Sequence, residues 1–125
     1  MTPELCKILI VEDNEINRDM LQRRLVFRGF KVECAVDGLD GIEKALADPP
    51  DLILMDMSLP RMNGWEATRN LKSNKITSAI PVIALTAHAL KEDREQALAA
   101  GCNGFHAKPI DMEVLLSLMK VHLPS

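Results

Sequence analysis

The sequence predicts an α/β fold in which five strands and five helices alternate and form a doubly wound parallel sheet. Short aliphatic runs recur along the chain, and each is followed by a longer segment with helical spacing of apolar residues. The runs are continuously apolar, which is typical of strands that helices cover on both faces. Strands joined by helical crossovers run parallel, and right-handed crossovers place helices on both sides of one sheet.

Local signals predict where each element begins and ends. The strands are predicted at residues 7–11, 31–35, 52–55, 81–85 and 104–107. The helices are predicted at residues 15–28, 38–47, 63–72 and 91–100, and a last helix that Asp111 opens as its N-cap runs through residue 122. Asn14 and Asp111 are suitable N-caps for the first and last helices, and Gly29 and Gly101 suit the position that follows a helix. The inner face of the last helix is predicted to hold three apolar residues, Val114, Leu115 and Leu118.

Length and composition favour one globular domain over residues 1–125, without a separate output domain. Hydrophobic residues make up 47% of the chain, which excludes a disordered protein. The net charge is −3 and no basic tract occurs, so direct nucleic-acid binding is disfavoured. Three cysteines without CxxC spacing argue against a disulfide framework. The first apolar run is too short for a signal peptide or a membrane span, so a cytoplasmic location is expected.

Polar residues follow four of the five predicted strands. They are Glu12 and Asp13 after the first strand, Asp56 after the third, Thr86 after the fourth and Lys108 after the fifth. In a parallel sheet these strand ends meet at one edge, where α/β proteins bind ligands. Each residue alone is most often a turn, a cap or a solvated charge. Three carboxylates at one edge repel one another, however, and this favours a site for a divalent cation such as Mg²⁺.

These residue types also suit metal-assisted phosphoryl transfer. Asp13 and Asp56 would supply carboxylates to the metal, and a backbone carbonyl of the following loop, such as that of Ser58, could complete the set. Glu12 would either act through a water molecule or orient Asp13. Asp56 is the best candidate nucleophile because it lies at the tip of a central strand. Lys108 and Thr86 would then pair with oxygens of the transferred phosphoryl group.

Four motifs resemble those of the response-regulator receiver domains of two-component signalling. They are VEDN (11–14), DLILMDMSLPRMNG (51–64), PVIALTA (81–87) and AKPI (107–110). The resemblance implies a flavodoxin-like sheet with strand order 2-1-3-4-5. It also implies a phosphoacceptor rather than an enzyme, in which Asp56 receives a phosphoryl group from a phosphohistidine with the aid of Mg²⁺ or Mn²⁺. Thr86 and Phe105 would form the conformational switch, Gly64 would be the loop glycine, and the Lys108–Pro109 peptide would be cis.

The same resemblance implies two interaction surfaces on a monomer or weak homodimer. The fourth helix, fifth strand and fifth helix, including Leu90, Arg94 and Phe105, would contact a downstream protein. A histidine kinase or histidine phosphotransfer protein would bind the first helix and the loop after the fifth strand, through Asn14, Ile16, Asn17, Met20, Pro109 and Ile110. Capping by Asn14 and core packing by Met20 are alternative interpretations of those two residues.

Other interpretations remain open at this stage. A haloacid-dehalogenase-type phosphatase also uses an aspartate nucleophile with Mg²⁺, but it would need a second acid where Ser58 stands. A constitutive interaction module and a receiver cut from a hybrid histidine kinase are further alternatives. A flavodoxin is disfavoured because no phosphate-binding loop follows the first strand. His106 and His122 lack metal-ligand spacing and are predicted to be surface or half-buried residues.

Overall fold

The computed structural model describes residues 6–57, 63–87 and 91–123. The strands are β1 (Lys7–Val11), β2 (Lys31–Ala35), β3 (Leu52–Asp56), β4 (Val82–Thr86) and β5 (Gly104–Ala107). The helices are α1 (Glu15–Phe27), α2 (Gly38–Ala47), α3 (Gly64–Ser73), α4 (Lys91–Ala100) and α5 (Met112–His122). Every strand pairing is parallel and the order is β2-β1-β3-β4-β5. The predicted fold and strand order are therefore confirmed.

Two strands extend further toward the functional edge than predicted. Asp56 belongs to β3 because it pairs in register with Leu85, and Thr86 belongs to β4 because it pairs with Ala107. β4 begins at Val82, one residue later than predicted. Asp56 and Thr86 are thus held by the sheet itself, which fixes their backbone positions more firmly than a loop would.

Capping residues account for the helix ends. Asn14, Asn63 and Asp111 each accept hydrogen bonds from backbone N–H groups of the first helical turn. Because Asn63 is a cap, α3 begins at Gly64, one residue later than predicted. α1 ends at Phe27 rather than Arg28, which is its C-cap. The glycines that follow α1 and α4 have φ angles of 95° and 105°, as expected for a left-handed residue after a helix.

The sheet separates two apolar clusters. α1 and α5 cover one face, and α2, α3 and α4 cover the other. All five residues of β3 are buried, as expected for a central strand between two helical layers. The prediction that Val114 faces the core is wrong, since this side chain is 53% exposed. α5 packs through Leu115 and Met119, and Val114 points away from that stripe.

None of the helices in the described ranges is long and apolar enough to cross a membrane. No disulfide joins the three cysteines, which all lie in the described ranges; Cys6 and Cys102 are buried and Cys34 is half-buried. The aliphatic core and the sheet pairings therefore hold the fold together without covalent cross-links.

Candidate functional site

Three carboxylates meet at the carboxyl edge of the sheet. Glu12 and Asp13 follow β1, and Asp56 ends the adjacent strand β3, whose residue Met55 is in register with Val11. One carboxylate oxygen from each acid lies within 4.8 Å of the others. Glu12 and Asp56 are buried, whereas Asp13 is exposed. The structure thus brings together the three acids predicted to lie at this edge. Because Asp13 is exposed, the group of acids is open to solvent on one side.

Lys108 reaches this group from the loop after β5. Its Nζ atom lies 3.3 Å from Glu12 Oε1 and 3.5 Å from Asp56 Oδ1. Its backbone N–H donates a 2.6 Å hydrogen bond to the carbonyl of Thr86, and the Lys108–Pro109 peptide is cis. One ammonium group therefore faces two buried carboxylates.

The electrostatics of the site are those of crowded acids. The pKa of Glu12 is raised to about 7, first by burial and then by the hydrogen bond to Asp56 and the charge of Asp56. Lys108 opposes this shift but does not cancel it. The raised pKa of Glu12 therefore reflects negative charge crowded among these oxygens, which a bound cation would offset.

Thr86 and Phe105 lie on the face of the sheet that α4 covers. Thr86 is buried at the end of β4, and Phe105 is half-buried on β5 in register with Ala84. Because side chains alternate along a strand, Thr86, Ala84 and Phe105 share one face. Arg94 of α4 lies over the Phe105 ring, with its guanidinium carbon 5.7 Å from the ring centroid. Thr86 and Phe105 thus lie on the same side of the sheet, and Phe105 contacts α4.

Gly64 allows α3 to begin against the end of β3. A Cβ atom at this position would lie 2.6 Å from the carbonyl oxygen of Asp56 and 2.7 Å from Met57 Cα. These contacts are with backbone, which cannot move aside as a flexible side chain can. Close backbone approach is therefore the reason for a glycine here.

Comparisons with known proteins decide the family. The family model described as "Response regulator receiver domain" matches residues 8–120. This chain belongs to that family. Receiver domains are the phosphoacceptors of two-component signalling rather than classical enzymes, and they generally interact with histidine kinases and downstream targets.

Individual relatives of this receiver domain cover almost all of its length. The polar-differentiation response regulator DivK of Brucella ovis is 37% identical over 116 residues, 93% of this chain and 94% of that protein. The receiver domain of the sensor histidine kinase PA1611 from Pseudomonas aeruginosa, solved with magnesium in its active site cleft, is 37% identical with a TM-score of 0.89. The match spans 96% of this chain and 98% of the PA1611 receiver. Chemotaxis protein CheY4 of Vibrio cholerae is 30% identical, with a TM-score of 0.89 over 94% of this chain and 98% of that one.

A groove of about 210 Å³ adjoins the acidic site of the receiver domain. The β1–α1 loop, α1, the end of β4 and the β5–α5 loop line it. The lining residues are Glu12, Asn17, Met20, Leu21, Arg24, Leu85, Lys108, Pro109 and Ile110. Four of the six residues predicted to contact a phosphodonor are among these. The other two, Asn14 and Ile16, are exposed at the start of α1, where Asn14 caps the helix by accepting a 2.9 Å hydrogen bond from the Asn17 N–H. Met20 is 41% exposed, so core packing does not account for it.

His106 is more buried than predicted, with 8% of its surface exposed. Its Nε2 atom accepts a 3.1 Å hydrogen bond from the backbone N–H of Asp111. Nothing in the spacing of the histidines indicated this contact; the available signal was the position of His106 inside a short strand, next to an aromatic residue. Two other predicted residues, Ser58 and Leu90, lie outside the described residues.

Proposed function

We propose that Asp56 is the phosphoacceptor of this receiver domain and takes its phosphoryl group from a phosphohistidine of a histidine kinase or a phosphotransfer protein. One observation carries the proposal. The Asp56 carboxylate ends the central strand, is grouped with Glu12 and Asp13 within 4.8 Å, and lies 3.5 Å from the Lys108 ammonium. This arrangement combines a positioned carboxylate nucleophile with a cation that can neutralise a phosphoryl oxygen.

The donor set fits a hard divalent cation. Three carboxylates face one lysine, and the raised pKa of Glu12 indicates negative charge that Lys108 does not neutralise. Asp13 and Asp56, with the backbone carbonyl of Ser58, would hold Mg²⁺ or Mn²⁺, and Glu12 would act through a water molecule. When bound, the cation supplies charge neutralisation for the carboxylates and the incoming phosphoryl oxygens. The magnesium in the cleft of the PA1611 receiver supports this assignment.

The protein groups divide the transfer among them. An oxygen of Asp56 forms a bond to phosphorus as the bond between phosphorus and the histidine nitrogen breaks, and the electron pair of that bond stays on nitrogen. Lys108 pairs with a phosphoryl oxygen in place of the carboxylate that it contacts in this structure. The Thr86 hydroxyl donates a hydrogen bond to another phosphoryl oxygen. The product is an aspartyl phosphate, which water later hydrolyses, so the domain is modified rather than acting on a separate substrate.

The switch would work through the face that carries Phe105. A phosphoryl group adds about −1.5 to −2 charge and strong hydrogen-bond acceptors. Movement of Thr86 toward it changes the space beside Phe105, and Phe105 is in contact with Arg94 of α4. A downstream protein would therefore bind the surface formed by α4, β5 and α5, with Arg94, Phe105 and Leu90 as contacts.

The phosphodonor would bind on the opposite side of the site. Asn17, Met20, Pro109 and Ile110 line the groove beside Lys108, whose ammonium contacts Asp56, and Asn14 and Ile16 extend that surface along α1. Three cysteines without a disulfide support a location in a reducing cytoplasm. No homodimer is needed for any step, which supports function as a monomer or a weak dimer.

The first experiment measures phosphorylation by acetyl phosphate with Mg²⁺, using intact-protein mass. The wild-type chain should gain one phosphoryl group and Asp56→Asn should gain none. Asp48→Asn is a matched control because Asp48 is an exposed carboxylate at the other end of the sheet. A chelator should abolish the wild-type gain. Modification of Asp56→Asn would contradict the assignment, and an unmodified wild-type chain would favour a constitutive interaction module. A phosphotransfer profile against histidine kinases and phosphotransfer proteins, again with Asp56→Asn, would then identify the donor.

A further inference from the structure

The loop that carries Lys108 is held at two points. At its start, the Lys108 N–H donates to the carbonyl of Thr86 at 2.6 Å. At its end, the Asp111 N–H donates to Nε2 of His106 at 3.1 Å. Pro109, between them, has no N–H to contribute. The hydrogen bond to His106 thus spans the short loop between β5 and α5, residues 108–111, which carries Lys108.

His106 itself has little freedom. It is 8% exposed, and strand alternation on β5 places it on the opposite face from Phe105, in register with Leu85 of β4. The residue it holds, Asp111, is the N-cap of α5 and accepts hydrogen bonds from the next turn through its own side chain. His106 therefore joins the last strand to the start of the last helix across the Lys108 loop.

We propose that His106 is a positioning residue for phosphoryl transfer, and that the hydrogen bond from Asp111 N–H to its neutral imidazole keeps the Lys108 loop in the conformation that places Nζ beside Asp56. The inference rests on the proposed roles of Asp56 and Lys108. It extends them because His106 lies outside the acidic site and touches neither the carboxylates nor the position of the phosphoryl group among the contacts of the described residues.

The chemistry of the contact makes the role specific to a hydrogen-bond acceptor. Nε2 can accept a hydrogen bond only when it carries no hydrogen of its own, so the bound ring is neutral with its hydrogen on Nδ1. A leucine would fill the space but leave the Asp111 N–H without this acceptor. A protonated ring would place two donors face to face. The charge of Asp111 raises the pKa of His106 and so favours the protonated form. Burial lowers that pKa and outweighs Asp111, and Leu85, in register with His106, is apolar.

The experiment compares initial rates of phosphorylation by acetyl phosphate with Mg²⁺ in four proteins. His106→Leu should be about 3- to 10-fold slower than wild type, the range that one net hydrogen bond corresponds to. His106→Gln should stay within about twofold of wild type because its side-chain oxygen lies two bonds beyond Cγ, as Nε2 does. His122→Gln, the same substitution at the far end of α5, should equal wild type.

A pH series separates this role from simple packing. Because burial lowers the pKa of His106, the ratio of the wild-type rate to the His106→Gln rate should fall only as the pH drops below the ordinary histidine pKa of about 6.5, where the imidazole gains a proton and glutamine does not. A constant ratio would overturn the proposal, as would a His106→Leu rate equal to wild type. If His106→Leu does not fold, the wild-type to His106→Gln comparison decides the question. An unphosphorylated wild-type chain would instead mean that the proposed function, and with it this role, is wrong.

Discussion

Two partly buried lysines at opposite ends of the sheet have very different partners. Lys108, at the carboxyl edge, lies within 3.5 Å of two carboxylates. Lys72, at the amino edge, donates to the carbonyls of Ser78 at 3.3 Å and Ile80 at 2.7 Å, and to Asn103 Oδ1 at 2.9 Å. Neutral oxygens thus surround one ammonium group, and negative charges surround the other.

The difference teaches how the same residue type becomes structural in one place and functional in another. The three acceptors of Lys72 match the three hydrogens of its ammonium group, so it joins α3 to the segments that lead into β4 and β5. Burial lowers the pKa of Lys72, and no carboxylate appears among the causes of that shift. Lys108 instead neutralises part of the charge of two carboxylates in a site that opens to solvent. A phosphoryl group could replace these carboxylates as the partner of its ammonium group.

The largest expected effect separates the two lysines by reaction rate. Lys108→Met should lower the rate of phosphorylation by acetyl phosphate by about 100- to 1,000-fold, since removing one group that stabilises developing charge has this size of effect. Lys72→Met should change the rate by less than about twofold, because Lys72 is at the other end of the sheet. Intact-protein mass at short reaction times measures both. Equal losses in the two variants would break the comparison.

Each edge also has a glycine, and the two should differ in the same way. Gly64→Ala drives a Cβ into the backbone of Asp56 and Met57, and should cost about 3 kcal/mol of unfolding free energy and slow phosphorylation. In Gly101→Ala the new Cβ meets the flexible Lys72 side chain, whose Cγ is nearest at 2.8 Å, but the residue must adopt a φ of +105°. It should cost about 1–2 kcal/mol and leave phosphorylation unchanged. Urea denaturation and the acetyl phosphate assay test both variants, and a slowed Gly101→Ala reaction would contradict the separation.

The pH dependence of stability sharpens the electrostatic side of the comparison. The pKa of Glu12 is about 7 in the folded protein, above the ordinary value of about 4.3. Between these values the folded state binds more protons than the unfolded state, so metal-free stability should fall by about 3 kcal/mol as pH rises from about 4 to about 7.

Substitution isolates this contribution. Glu12→Gln should lose the pH-dependent component, and Glu43→Gln, which removes an exposed glutamate on α2, should keep it. Mg²⁺ should stabilise the wild-type protein more at about pH 8 than at about pH 5, because binding competes with the proton. The readout is urea denaturation across pH, with and without Mg²⁺. A flat difference between wild type and Glu12→Gln would show that Glu12 does not carry the raised pKa.

The smallest expected effect tests the structural role of Lys72. Lys72→Met keeps the length of the side chain but removes its donors, and should cost about 1–2 kcal/mol of unfolding free energy. Lys75→Met is the control because Lys75 is an exposed lysine a few residues further along the chain. Thermal or urea unfolding measures the difference. A variant as stable as wild type would mean that water replaces the lysine at these carbonyls without loss.

Much of the site could be predicted because it follows from strand topology. Continuous apolar runs identified the strands, and the residue after each run must lie at the carboxyl edge once the strands are parallel. Glu12, Asp13, Asp56 and Lys108 therefore came together as expected, and so did the groove residues Met20 and Ile110, which flank that edge. Their roles in phosphoryl transfer stay predictions until the acceptor and its donor are tested.

Contacts that depend on side-chain direction could not be predicted in this way. His106 is a polar residue in a four-residue strand, where alternation is too short to show which face is buried. Lys72 and Asn103 are 31 residues apart and meet only because α3 packs beside the start of β5. Val114 fitted a helical stripe as well as Leu115 did, until packing decided which face of α5 lies inward.

The sequence by itself determined the order of the elements, the parallel sheet and the edge at which the acids, the threonine and the lysine collect. These depend on local periodicity and on the chirality of crossovers, which short segments already encode. The tertiary structure decided which buried lysine faces charge and which faces neutral carbonyls, and that His106 closes the Lys108 loop. The reason is physical: hydrogen bonding and burial depend on distances between atoms far apart in the chain, and only the packed fold sets those distances.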